Sequence, residues 1–521
     1  MAGLWNQQTD DEPLIDVSVP INGVNNAQPP SAIGPSLAQL AENRLAGLDG
    51  LNRPRPGIIR LAQTTGSFAS LDSIHHLGTG VFLCSDGPNW YTYDSRSNVL
   101  TSITGGPAYT RGTQVYAALS NATLYFTNGT LLSKYLPATG FGTNTLPGEY
   151  PSALYPIWAV DRLIYVWQNS LVVSDVLDPE VWDPITQTVT LDPQASDYIT
   201  GQTLWQVQRI AVFRNGSTYV VETGPGLNVV DWEINRVSGT IGCCCHGTIA
   251  QAGMEVYFLS ETGRGVYQLS QLPTSEQYGV LNPISAPIKP YIERINWSAI
   301  QNARAQVWND LYLLSVPLDG AAYNNYMLVY SISLATWQGT WCFEDANDND
   351  IGARTFSIDR TNPNQSFLLV ATRDGFLSQF TYPPKRQYYD QNIDNTKAPY
   401  HSSLTSRAFT FGQSVNPLNQ IQPYRSDVQF LESLDPVQIT VWADRTIQIA
   451  QRTVETTTYL LSLTIPGFPF DLDREGYKVV PISLLGIGLC NEMQLEFDGT
   501  GNWTLYQIEC AAWESMPLIT V

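Results

Sequence analysis

A short unit recurs along these 521 residues and constrains the fold more than any other feature: a dense apolar run, a break carrying Gly or Asn, and a second apolar run. Its clearest copy is Ile241 to Leu269, IGCCCHGTIAQAGMEVYFLSETGRGVYQL. Met254 to Ser260 is rich in apolar residues, Glu-Thr-Gly-Arg-Gly interrupts it, and Val266, Tyr267 and Leu269 resume, which predicts a β-hairpin. One hairpin buries too little to stand alone, so each unit must stack on others. Similar units run from Gln114 to Leu136 and from Ile157 to Asp175, with looser copies starting at Val81, Arg209, Gln306 and Ser366. That makes about seven copies spaced by roughly 40 to 55 residues, the range of blade-length repeats in β-propellers. Gly and Asn in the breaks supply the positive φ that tight hairpin turns need. A large β-sandwich with irregular hairpins would show the same pattern, and no blade signature such as a WD dipeptide separates the two.

The two ends of the chain read differently. Residues 1–60 form an extended arm rich in Asn and Pro, with a helix predicted over Ser36 to Leu45, where Leu37, Leu40, Ala41 and Arg44 fall at helical spacing. Arg53-Pro54-Arg55-Pro56-Gly57 then fixes an extended path and a turn before the first strand. After Phe380 the polar, Tyr-rich segment TYPPKRQYYDQNIDNTKAPYHSS reads as a linker. Strand patterns restart beyond it, with alternation at Val437, Ile439 and Val441, as expected for an antiparallel sandwich with one face wetted. The expectation is therefore a mainly β chain: a docking arm (1–60), a β-propeller-like domain of hairpin repeats (61–382), a linker (383–402) and a C-terminal antiparallel β-sandwich platform (403–521).

Only 14 % of residues are charged, well below the usual quarter, and the net charge is −20. Such a protein repels phosphate backbones on average, which argues against a sequence-reading nucleic-acid binder but suits a passage where DNA must slide without sticking. The seven cysteines are odd in number, and three of them, Cys243, Cys244 and Cys245, are consecutive, so they read as small core residues in a reduced compartment. A zinc site would need a second ligand pair, which the isolated Cys342, Cys490 and Cys510 do not supply. The start of the sequence lacks a basic region followed by an apolar core, and no window approaches a membrane span, so no secretory signal or transmembrane segment is expected.

The search for catalytic motifs is negative. GxSxG, HExxH, Walker and GxGxxG patterns are absent, and the four His residues show no triad spacing. Asp471, Asp473 and Glu475 mimic the first half of a calcium loop, but Ile482 stands where the closing Glu belongs. The acidic run Glu344 to Asp350 has the same weakness. No catalytic centre and no cofactor are expected. A propeller glycosidase remains a competing reading, because its carboxylates would come from separate blades; sialidase-type Asp boxes do not recur, Ser85-Asp86-Gly87 with Trp90 being the nearest approach.

Several pieces together resemble the nozzle proteins of short-tailed bacteriophages, also called tail tubular protein B or packaged-DNA stabilisation proteins. They are Pro29-Pro30, Ala41 to Leu45 (AENRL), Asp49 to Leu51, Arg55 to Gly57, the segment SDVLDPEVWDP from Ser174, and the passage from FRNGSTYVV to VYFLSETGRGVYQL. The resemblance implies a structural virion protein, made in the host cytoplasm and placed in the tail. Such a protein would assemble as a ring, by resemblance a hexamer, that closes the DNA channel until infection. Its partners would be its own copies, a portal adaptor and other tail proteins, with tail fibres a further candidate and DNA passing without sequence-specific binding. Arg53, Arg55 and Trp182 are the candidate partner-docking residues. A host-surface or glycan-binding propeller is the alternative function.

Overall fold

The computed structural model describes residues 14–47, 51–63, 70–78, 80–144, 146, 150, 152–224, 228–271, 278–280, 283–344, 350–362, 365–381, 389–412, 420–433, 435–454, 478–484 and 489–514. Each of the seven repeat units lies in a separate sheet, within a run of about four antiparallel strands, and these runs follow one another in chain order. Their first strands are Ser73–Gly78, Tyr116–Ser120, Leu154–Ala159, Ile199–Leu204, Ala250–Ala252, Arg304–Trp308 and Ala353–Asn362. Each first strand touches the next, in the fifth sheet through the short turn His246–Thr248, and the strand of the seventh touches that of the first. The sheets are thus the blades of a seven-bladed β-propeller, not the two facing layers of a sandwich.

Burial explains why the repeats read as dense runs and not as alternation. Leu311–Val316 is buried along its whole length and Ser170–Asp175 along all but its last residue, because each blade is covered on both faces by its neighbours. The outermost strands, such as Glu233–Ser238, are mostly exposed. The described residues form eight buried apolar clusters, and seven of these are the seams between successive blades. Trp90 meets Phe126 at 4.8 Å across the first seam, and Phe213 meets Phe258 at 4.7 Å across the fourth. The consecutive cysteines belong to these seams, Cys243 to the fourth and Cys244 and Cys245 to the fifth, and all seven cysteines are free and buried.

The eighth cluster is the core of the C-terminal sandwich. One of its layers carries Ile421–Ser433, Lys478–Ser483 and Trp503–Glu514. The other carries His401–Thr405, Met493–Thr500, Val437–Ala443 and Ile447–Val454, and it continues without a break into the sixth blade. Among the described residues, no helix is long and apolar enough to cross a membrane.

The N-terminal segment departs most from expectation. Ser36 to Leu45 is not helical: Leu40–Glu42 and Arg44–Ala46 are short strands, separated by Asn43 at φ 53°. Ala38, Ala41 and Ala46 are buried while Leu40 is exposed, so two sheets decided the conformation over a weak helical spacing. Nor is the segment a peripheral arm. Leu40–Glu42 lies between Thr336–Trp341 of the sixth blade and His401–Thr405 of the sandwich and pairs with both. Gly339 makes the crossing possible, since a Cβ there would lie 2.1 Å from the Ala41 carbonyl oxygen. Leu14–Ser18 and Asn52–Pro54 pair with Trp503–Glu514, and Ile58–Gln63 supplies the fourth strand of the seventh blade.

Candidate functional site at the axial face

Successive strands of a blade run antiparallel, so the start of its first strand and the turn between its second and third strands lie at the same end. At that end of the propeller the leading residues of the first strands converge on the axis. Arg304 of the sixth blade donates from Nε to Oε1 of Gln114, just ahead of the first strand of the second blade, at 2.6 Å. These blades are not neighbours, so the bond spans the axis. His246, leading into the fifth blade, stacks on Tyr155 of the third with ring centroids 4.7 Å apart and meets Tyr116 of the second edge-on at 5.1 Å. Tyr116 and Tyr155 lie 4.8 Å apart. Together these side chains form a plug in the axial channel at this face.

The backbone is shaped to place them. Tyr155 sits at φ 51° inside a register shift between Leu154 and Ile157. A bulge of this kind re-aims a side chain, and a bulky residue at positive φ stores strain of a sort found at functional sites. Gln202 of the fourth blade steadies it by donating to the Tyr155 carbonyl at 2.7 Å. A Cβ at Gly247 would lie 2.4 Å from an Arg304 nitrogen, so glycine lets the guanidinium lie against the backbone.

Burial sets the electrostatics. It lowers His246 to about 3, helped by the Arg304 charge, so the imidazole is neutral near pH 7, with Nδ1 sealed from solvent and without a hydrogen-bond partner. Burial also pushes the Tyr116 and Tyr155 hydroxyls up. The plug is therefore aromatic and neutral apart from Arg304.

Beside it lies a small cleft lined by Arg304, Arg354, Arg373, Tyr323 and Gly112, among others. Arg354 donates from Nε to Asp72 at 2.5 Å, and Asp72 also accepts from the Gly112 N–H at 2.7 Å. Burial raises the Asp72 carboxyl, with Arg354 acting against the rise. Arg373 is exposed and lies 3.4 Å over the Tyr323 ring. The set offers guanidinium donors and aromatic faces, which hold a ligand more readily than they transfer protons.

Sequence reasoning did not find this group. Its signal was the phase of the repeat: Asp72, Gln114, Tyr155, His246, Arg304 and Arg354 all sit close to the start of first strands, but only the closed ring brings them together. The residues expected to dock partners fare unevenly. Arg55 is fully buried, so it is corrected to an internal tie: it holds Asp390 through two bonds at 3.0 and 2.8 Å and lies 3.9 Å from the Tyr400 ring. Arg53 is half-buried in Asn52–Pro54, opposite Leu45. Trp182 ends the edge strand Asp178–Trp182 of the third blade, half-buried against Tyr165 at 5.8 Å, with Val176, Leu177, Val181 and Ile185 exposed nearby in the chain.

The calcium candidates Asp471, Asp473 and Glu475 lie outside the described residues, as does the middle of the acidic run, 345–349. At the edge of that run, Asp350 offers a carboxylate oxygen within 4.8 Å of ligand atoms of Glu42 and Cys342, a set that could hold a metal ion. Burial pushes both the Cys342 thiol and the Glu42 carboxyl up, and the thiol donates to Glu42 Oε1 at 3.5 Å, so the protonated thiol already has a use.

No protein-family model matches the sequence, and no curated protein matches it. Among solved structures it is similar to a streptogramin B lyase, at TM-score 0.43 and 12 % identity over 62 % of this chain and 97 % of that one. It is also similar to the N-terminal domain of Nup159, at TM-score 0.38 and 10 % identity over 62 % and 96 %. YCF48 bound to D1 peptide gives TM-score 0.39 and 10 % identity over 63 % and 96 %. These are propeller proteins of varied function. The assignment of this fold rests on its own sheets and seams.

Proposed function

We propose that this chain is a structural subunit of a short phage tail, a nozzle-type protein that assembles with copies of itself into a ring around the DNA path. The observation that carries the reading is where the resembling segments fall. Ala41 to Leu45 lies in strands that pair with both propeller and sandwich, and Arg55 to Gly57 joins Asn52–Pro54 in the sandwich sheet to Ile58–Gln63 in the seventh blade, while the segment from Ser174 runs onto the exposed edge of the third blade. Rigid coupling of two β domains suits a part that bears load. Each propeller axis is plugged at one face, so in this reading DNA passes between copies and the closing device lies at the ring's centre. The ring needs one heterologous contact repeated until it closes, and the net charge of −20 lets DNA pass without being held.

The portal adaptor and neighbouring tail proteins are the partners, fibres attach at the periphery, and the chain catalyses no reaction. Electron microscopy of the purified protein, alone and added to tails lacking it, tests this. A closed ring, six-membered by the resemblance, that restores tails is the expected result; a protein that stays monomeric and never enters tails would refute it.

A further inference from the structure

We propose that the cleft between Arg304, Arg354 and Arg373 on the axial face of the propeller is a binding site for a small oxyanion, a phosphate or carboxylate group carried by a small molecule. Arg304 is only 7 % exposed, and its hydrogen bonds go to neutral acceptors: Oε1 of Gln114 and the carbonyls of Gln301 and Ala303, at 2.6, 2.8 and 2.5 Å. No carboxylate among the described residues lies within ion-pair distance of it. A buried cation without a countercharge is costly, and the cost falls when an anion joins it.

The neighbouring charges point the same way. Arg354 is paired with Asp72, which is 3 % exposed, so that carboxylate is already committed. Arg373 forms no ion pair among the described residues and rests on Tyr323, a stacking contact that orients a guanidinium while leaving its N–H edge free. Three cations against one carboxylate make a positive focus in a protein of net charge −20. The fork of a guanidinium matches the paired oxygens of phosphate and carboxylate alike. The cleft opens beside the plug, which gives a polymer no route through.

This site does not depend on the tail reading. The test is isothermal titration of the full chain with sodium phosphate and, separately, sodium acetate, at constant ionic strength. The expected result is saturable one-site binding of at least one of them; the preferred ion identifies the ligand's headgroup. Arg373→Ala, at an exposed position where folding is not at stake, should weaken that binding roughly tenfold or more, as loss of a charge-assisted hydrogen bond predicts. Arg304→Gln should abolish it, and the distant exposed Arg96→Ala should leave it unchanged. Absence of saturable binding by both ions, or equal binding by wild type and Arg373→Ala, would overturn the proposal. So would tighter, strongly salt-dependent binding of a short DNA duplex that Arg373→Ala removes, since the cleft would then serve a polymer.

Discussion

The second and seventh blades share one four-stranded plan but are drawn from different reaches of the chain. The second uses consecutive strands from Tyr116 to Thr143, and its turns are local: Asn121 and Ala122 both adopt positive φ, as a two-residue hairpin turn requires. The seventh takes its fourth strand from Ile58–Gln63, and the adjoining bond from the Thr381 N–H to the Gly57 carbonyl joins residues 324 positions apart. A locally built blade can form before the ring, whereas the seventh is complete only once the ring closes, after most of the loop-closure entropy has been spent. The same N-terminal segment pairs with the sandwich, so closure and domain coupling are one event.

The largest expected effect is on that event. Deleting residues 1–63 should leave no soluble, cooperatively folded protein, because the closing strand and three sandwich partners go with it; circular dichroism and size-exclusion chromatography would show this. The sequence alone suggested instead that residues 1–60 are a docking arm outside the folded domains. A sharply melting, monodisperse truncation would break the contrast between the two blades.

Next comes the tie itself. Arg55→Ala leaves Asp390 without its partner and should cost about 3–5 kcal/mol in urea unfolding. Phe126→Ala, in the seam between the first two blades, should cost a similar amount, about 3–5 kcal/mol. Coupling separates them: Arg55→Ala and Asp390→Ala should be strongly non-additive, whereas Arg55→Ala and Phe126→Ala should add to within about 0.5 kcal/mol. Coupling between the latter pair would mean that the second blade also waits for closure.

A smaller effect should follow pH. Burial lowers His75 to about 4 and His246 to about 3, from an unfolded value of 6.5. The unfolded chain therefore binds more protons between those values, and the stability from these neutral imidazoles, full above pH 6.5, is lost as pH falls toward 4 and 3. His246→Gln should flatten the dependence of the unfolding midpoint on pH over that interval. An unchanged slope would show that the plug does not hold its imidazole neutral.

The smallest effect on stability belongs to the rim. Ile185 is 86 % exposed, so Ile185→Ser should shift stability by less than about 0.5 kcal/mol. Analytical ultracentrifugation should nevertheless show weaker self-association if the third blade's edge contacts a neighbouring copy.

Much of the propeller was legible because its signals are local. All seven units noticed in the sequence lie in separate blades, and their apolar density reflects burial on both faces. Cys243 to Cys245 read correctly as small core residues, since a buried thiol behaves as a small apolar side chain. Ser36 to Leu45 misread because Leu37, Leu40, Ala41 and Arg44 satisfy helical spacing by chance, while the pattern that matters, buried Ala38, Ala41 and Ala46 about an exposed Leu40, is set by strands far away in sequence. Arg55 looked like a docking residue because a lone arginine between prolines gives no hint that Asp390 and Tyr400 enclose it.

The sequence by itself therefore determined the hairpins and their turns, because φ preferences, apolar runs and β-propensity act over a few residues. Only the tertiary structure decided which strand closes the ring, that the N-terminal segment stitches propeller to sandwich, and that Gln114, Tyr155, His246 and Arg304 meet at the axis. Those contacts join residues that no local preference connects; they exist because seven blades must close a circle, and closure brings the starts of their first strands to one place.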